Sequence, residues 1–351
     1  MLQARIRRLA IPVILTGLTA CDNVGWGGVQ VRVQAPPPAQ SAAEADTAGP
    51  VVEAPPPLDL PPALFLVERA SGESRLLPVA FLRDGALRPL ADADGIEEFA
   101  RRFREERMSG HDAFILFAGG HRVGGFFPTA PGPIDSTWCA PRPIVTGRIE
   151  VQPGASGRER FLALPEKLGR SYPRSDFTAS NTTRAQRVGT LNMAAALFAT
   201  RNIRWPPSIL EARQYVEAFQ PLGSDSTELA TTFMYGDSLA VGPAPNPAYS
   251  LFILGTHSGR RYEPTYVRYR RVGDGGKAAA RWIGHMDWDR DGADDALLEV
   301  FGTEHRWFAA LARRGEAWRQ SFQEPCPGEP GAGGPTGVGE EAGAGTSDSA
   351  P

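Results

Sequence analysis

The chain has 351 residues, a formal net charge of −3, 39 Gly, 32 Pro and 3 Cys. Lys167 and Lys277 are its only lysines, so its basic character is carried by Arg. No basic run follows the first ten residues, which excludes nucleic-acid binding, since that needs a basic footprint.

The elements begin with an address. Arg5, Arg7 and Arg8 precede a short apolar run, LAIPVILTGL at 9–18. It is shorter than the roughly 20 residues a spanning helix needs. A basic start, a short apolar core and small residues before a cut mark a secretory signal. The cut region reads Leu18-Thr19-Ala20-Cys21 and resembles the lipobox of bacterial lipoproteins. That resemblance implies cleavage before Cys21, acylation of Cys21 and anchoring of the chain to a membrane of the cell envelope. Several acyl chains on one residue anchor stably, because each buried methylene adds roughly 0.8 kcal/mol. The alternative is an ordinary cleaved signal with a spare Cys. Loss of three arginines with the leader would take the charge to about −6.

Residues 22–62 read as a tether. Pro36–Pro38, Pro55–Pro57, Pro61 and Pro62 favour extended backbone, with a reach on the order of 120 Å at about 3.1 Å per residue. Val29, Val31 and Val33 alternate as a short strand would. Export places the remaining thiols, Cys139 and Cys326, in an oxidising compartment, where two thiols most simply pair; the alternative is two free thiols.

Residues 63–326 form the folded part, which a split near 175–225 could divide into two subdomains. ALFLVER and RLLPVAFLR suggest a hairpin, with a following turn at Asp84-Gly85. A helix then places Ile96, Phe99, Ala100 and Phe103 on one face behind an Asp94/Glu97 cap. A hairpin about Gly119-Gly120 follows, and 144–166 holds two more strands. The middle is read as helical: 182–201 with Val188, Leu191, Ala195 and Phe198 buried, and 208–219 with Ile209, Ala212, Val216 and Phe219 buried. From 227 the pattern is β, as a meander of ELATTFMY, YSLFILGTH, TYVRYRRV, ARWIGHM, DALLEVFG, RWFAALARR and EAWRQSF. Strands segregated from about three helices predict an α+β, antiparallel β-rich domain. The tail, 327–351, lacks apolar residues to bury and is expected to be disordered.

One segment carries chemistry. Residues 287–295 read Asp-Trp-Asp-Arg-Asp-Gly-Ala-Asp-Asp. Ca²⁺ takes six to eight oxygens, and alternate residues of a curled loop aim side chains at one point. Asp287, Asp289 and Asp291 supply that array, Gly292 permits the turn and Asp295 closes it. An EF-hand would need Glu where Leu298 stands, and both flanks read as strands. The pattern D-x-D-x-D-G-x-x-D between strands resembles the Ca²⁺ loop of FG-GAP and VCBS repeats, known from integrin-like β-propellers. It implies Ca²⁺ held by Asp287, Asp289, Asp291 and Asp295. The alternative is a solvated acidic hairpin tip, whose crowded carboxylates would repel one another without a cation.

Other motifs are missing. The histidines 111, 121, 257, 285 and 305 form no HExxH or compact zinc spacing. His285 is expected on a strand surface, opposite in phase to Trp282. Gly255-Thr256-His257-Ser258-Gly259 is not a G-x-S-x-G elbow, and no phosphate-binding loop appears. Trp282, Trp288, Trp307 and Trp318 read as core, with a sugar-stacking surface as the alternative. The expectation is a lipid-anchored envelope protein with structural Ca²⁺, binding an envelope protein or glycan rather than catalysing. The rival is a secreted hydrolase of envelope polymer, to be recognised by a carboxylate or His–Asp pair in a cleft.

Overall fold

A computed structural model describes residues 59–70, 72–90, 96–109, 113–174, 176–179 and 181–332. The leader, Cys21, most of the tether, Asp94 and the tail from 333 lie outside the described residues.

The first half builds a closed sheet. In chain order come β1 (Ala63–Arg69), β2 (Ser74–Arg83), β3 (Ala86–Arg88), helix α1 (Ile96–Phe103), β4 (Phe114–Ala118), β5 (His121–Asp135), β6 (Arg142–Val151), β7 (Arg160–Pro165) and α2 (Glu166–Gly169). The order β1-β7-β4-β5-β6-β2 closes through a β1–β2 pairing, so six antiparallel strands form a barrel and β3 extends β2. Phe65, Leu76, Phe114, Phe126, Val145 and Phe161 gather from all six strands in one cluster, which is the barrel interior. Phe103 of α1 joins it against Phe65 and Phe81. The alternate residues of the same strands, among them Leu64, Leu66, Leu77, Ile115 and Leu162, form the outer face. Burial on both faces explains why β1 and β4 are continuous apolar runs.

The second half gives α3 (Arg184–Thr200), α4 (Ile209–Ala212), β8 (Arg213–Phe219), β9 (Glu228–Tyr235), β10 (Tyr249–Ser258), β11 (Arg261–Arg271), β12 (Ala279–Met286), β13 (Asp295–Phe301), β14 (Arg306–Arg314) and β15 (Ala317–Gln323). The expected single meander is two four-stranded antiparallel sheets, β11-β10-β9-β8 and β12-β13-β14-β15. The β12–β15 sheet is a middle layer. Ile283, Met286, Leu297 and Phe308 meet the barrel wall. Trp282, Leu298, Trp307 and Leu311 meet Phe219, Phe252 and Leu254 of the β8–β11 sheet. Helix α3 covers the far face of that sheet through Met193, Leu197 and Phe198. The protein is therefore β-rich and antiparallel with short helices, mostly β rather than evenly α+β.

Several local expectations shift. Thr183 and Gln186 close a capping box on α3, but its buried stripe is rotated: Val188 is 46% exposed, and Thr190, Met193, Ala194, Leu197 and Phe198 are buried. The helix expected over 208–219 lasts one turn. Ser208 caps it through the Glu211 amide, and β8 then pairs with β9, because edge pairing outweighs helical periodicity in so short a segment. The first residues assigned to the tail, 327–332, are packed. The buried carboxylate of Glu329 accepts amides of Thr303, Glu304 and His305 at 2.6–3.1 Å, and a Cβ on Gly331 would lie 1.8 Å from the Lys277 carbonyl.

A polar joint ties the β5–β6 connection to the middle sheet. Arg142 is fully buried, pairs with Glu324 and donates to the Val79 carbonyl at 3.1 Å. Arg306 bridges Asp135 and Glu299 at 2.8 and 2.7 Å and lies over the Trp138 ring. Beside it Cys139 and Cys326 meet at disulfide distance, with Cα atoms 5.0 Å apart across a separation of 187 residues. Closing so long a loop restricts the unfolded chain by about 5 kcal/mol in the chain-entropy model. Cys326→Ser in oxidised protein is therefore expected to lower the guanidinium midpoint clearly, and reduction should reproduce the change in the parent but not in the variant.

Candidate metal centre

The loop joining β12 to β13 curls through two left-handed residues, Arg290 at φ 63° and Gly292 at φ 89°. Its own amides shape it. Asp287 accepts from Asp291 N and Gly292 N, both at 3.1 Å. Asp289 accepts from Asp291 N at 3.1 Å. Asp287, Asp289 and Asp295 each present a carboxylate oxygen, and these oxygens all lie within 4.8 Å of one another. Oxygens that share one Ca²⁺ at 2.3–2.6 Å fall within about 5 Å of each other, so the three fit a common ion.

The structure brings together three of the four sequence-predicted ligands. Asp291 stands apart from that group: it accepts from Ala293 N at 2.8 Å and pairs with Arg314 at 2.9 Å. Asp295 is the unusual member. It is the first residue of β13 and only 5% exposed, and its Oδ2 has no hydrogen-bond partner. Burial, then the charges of Asp289, Asp291 and Asp287, push its carboxyl up to about 8. Burial also raises Asp287, against the pull of the loop amides. An orphaned buried carboxylate oxygen facing two more carboxylates matches the donor set of a hard cation.

Two segments of the first half hold the loop, the one at Ser171–Tyr172 and the β2–β3 turn. Trp288 buries its ring between barrel and middle sheet, and its carbonyl accepts from Tyr172 Oη at 3.3 Å. Arg290 lies 4.6 Å from the Tyr172 ring centroid and donates to Ser171. The β2–β3 turn packs so closely that a Cβ on Gly85 would sit 3.3 Å from Asp289 Cβ.

A buried pair beside the loop escapes the sequence reading. His285 is 3% exposed rather than on the surface, and its Nδ1 lies 2.8 Å from Oδ2 of Asp294, which is 1% exposed. The reason is a bulge. Trp282 pairs with Leu298 and Gly284 with Leu297, so one extra residue returns His285 to the Trp282 face, where both rings meet Phe219. Gly284 inside a strand was the available signal. Burial pushes the Asp294 carboxyl up, but His285, the Leu222 amide and Arg313 outweigh it and hold it low. The Gly119-Gly120 turn covers the pair, with Gly120 N donating to the His285 carbonyl at 3.0 Å. Both glycines have positive φ, and a Cβ on Gly120 would stand 3.7 Å from Asp294 Oδ1. His121 on this turn is lowered by burial and then by His285.

The sugar-stacking alternative fails for its four tryptophans. Trp282, Trp288, Trp307 and Trp318 are all buried. His257 belongs to the β10–β11 hairpin, its ring against Tyr262. In comparisons with protein-family models, curated proteins and solved structures, nothing matches this chain.

Without metal, the raised Asp295 carboxyl sets a pH dependence. The folded state keeps a proton up to about 8 that the unfolded state releases near its ordinary value of about 3.9. The folded state therefore binds more protons between these limits, and stability falls as pH rises through them, then levels off. In chelator, urea midpoints are expected to fall from pH 5 to pH 8 by the equivalent of several kcal/mol, and Asp295→Asn should flatten the slope.

Proposed function

We propose that the chain is a lipid-anchored cell-envelope protein whose folded part is a non-catalytic binding or envelope-organising module with one structural Ca²⁺. The observation that carries the ion is Asp295, a buried carboxylate with an unpartnered oxygen beside Asp287 and Asp289. Its neutralisation by a proton or a cation is required, because an isolated buried charge is too costly to leave. Asp287, Asp289 and Asp295 would hold the ion, and the ion would supply charge neutralisation and ligand-to-ligand connection. Because the loop already packs on the barrel turn at Gly85 and on Tyr172, tying its carboxylates to Asp295 of β13 would stiffen the contact between barrel and middle sheet. The anchor reading rests on Leu18-Thr19-Ala20-Cys21 behind a basic, short apolar leader. The partner would be an envelope protein or glycan.

The rival hydrolase needs a reactive pair that substrate can reach. His285 and Asp294 form a His–carboxylate pair. They are enclosed by the Gly119-Gly120 turn, Phe219 and Trp282, and they serve as a joint.

Thermal unfolding with Ca²⁺ and with chelator tests the ion. At a hundredfold excess over Kd, Ca²⁺ is expected to add about 2.7 kcal/mol, seen as a higher midpoint. Asp289→Asn and Asp295→Asn should abolish the rise, and Asp291→Asn, at the Arg314 pair, should reduce it less. No shift in millimolar Ca²⁺ would remove the ion. For the anchor, Cys21→Ser expressed in a bacterium should move the chain from the membrane fraction to the soluble one; unchanged fractionation would count against lipidation.

A further inference from the structure

The segment leading into α3 and the strand β8 enclose an open groove of about 550 Å³, lined among others by Asn181, Thr182, Arg187, Arg213, Gln214 and Tyr215. Strand β8 is the outer strand of its sheet, so no further strand closes this wall. Two of the lining side chains are cations and none is an acid.

Both guanidinium groups are fixed in place by neutral oxygens. Arg187 donates through Nη1 to the Thr182 carbonyl at 2.5 Å. Arg213 donates through Nη1 to the Arg187 carbonyl at 2.7 Å and to Thr190 Oγ1 at 3.1 Å. Among the described residues neither takes part in an ion pair, and Glu217, further along β8, is turned to Arg158 at 2.8 Å. Burial and then the charge of Arg187 disfavour the charged form of Arg213, as expected of two like charges brought together without a counter-ion. An arginine fork offers five donors in a plane and matches the two oxygens of a carboxylate or phosphate. Thr182 Oγ1 donates to the Val216 carbonyl at 3.5 Å and Gln214 Nε2 to the Ala212 carbonyl at 3.3 Å; their remaining acceptor oxygens and the Asn181 amide are suited to hydroxyl groups.

We infer that this groove binds an oxyanion, carboxylate or phosphate, carried on a small polyhydroxylated ligand such as an acidic sugar. The anion sits between Arg187 and Arg213, and the amide and hydroxyl side chains take the sugar hydroxyls. The assignment is independent of the Ca²⁺ loop, which none of these residues touches.

Calorimetric titration of the full chain with glucuronate, glucose 6-phosphate, inorganic phosphate and neutral glucose tests it. Saturable binding is expected for glucuronate or glucose 6-phosphate, tighter than for glucose or phosphate alone. R187Q and R213Q should each weaken it at least about tenfold, and added salt should weaken it further. Which of the two anionic sugars binds identifies the oxyanion. Arg213 also ties β8 to α3, so ligand-free thermal midpoints identify a variant that fails to fold. The exposed Arg187 then carries the test. No saturable binding of any anion overturns the assignment. So does glucose binding as tightly as the anionic sugars, phosphate binding as tightly as glucose 6-phosphate, or anion binding untouched by both substitutions.

Discussion

The sheet β12–β15 is covered on both faces, by the barrel wall on one side and by β8–β11 on the other. That constraint governs the polar groups it buries, because little water reaches them. A carboxylate there must find a cation or strong donors. Glu299 takes Arg281 and Arg306. Glu324 takes Arg142 and the Phe308 amide. Asp294 takes His285 and the Leu222 amide. Oδ1 of Asp294 is left without a partner too, but its Oδ2 is met by His285; among the described residues Asp295 is the member of this series that no cationic side chain pairs with, and it lies beside further carboxylates. The pattern of the other three makes this exception informative, since the sheet elsewhere supplies a partner for each charge it buries.

The position of the exception matters as much as its charge. Asp295 belongs to β13, whose pairing to β12 and β14 fixes it, whereas Asp287 and Asp289 belong to the loop. One ligand on a rigid strand and two on a loop already shaped by its own amides leave little ordering for an ion to impose. Trp288 and Arg290 fasten the outward side of the same loop to the barrel side of the molecule. Whatever neutralises the carboxylates therefore acts on the packing between two layers, and its reach is larger than a hairpin tip would have.

Strand positions were legible where burial follows a local pattern. Arg306–Arg314 and Glu228–Tyr235 coincide with the apolar runs that announce them. The Asp loop was legible because its oxygens come from alternate neighbours in sequence. The failures share a different cause. The 208–219 segment has helical spacing, yet β9 offered it an edge. The face of α3 turned because the sheet beneath it, not the helix, chose Met193 and Leu197. His285 changed faces through a bulge at a single residue. Barrel closure by β1 with β2 and β7 and the burial of Asp295 are set by long-range packing, which no window of sequence contains.

The two cross-links now stand in a definite relation. Strand β14 runs from Arg306 to Arg314. Its Arg306 end accepts the Cys139 amide and bridges Asp135, close to where Cys326 leaves β15. Its Arg314 end pairs with Asp291 of the acidic loop. At about 3.4 Å per residue these ends are roughly 27 Å apart. The cysteine pair thus fastens the barrel to one end of the middle sheet, and the acidic loop fastens it at the other. A layer interface made of apolar contacts resists separation but permits sliding; fixing both ends of one strand removes the slide. That division of labour accounts for finding a thiol pair and a carboxylate cluster on the same interface, each where the other cannot reach.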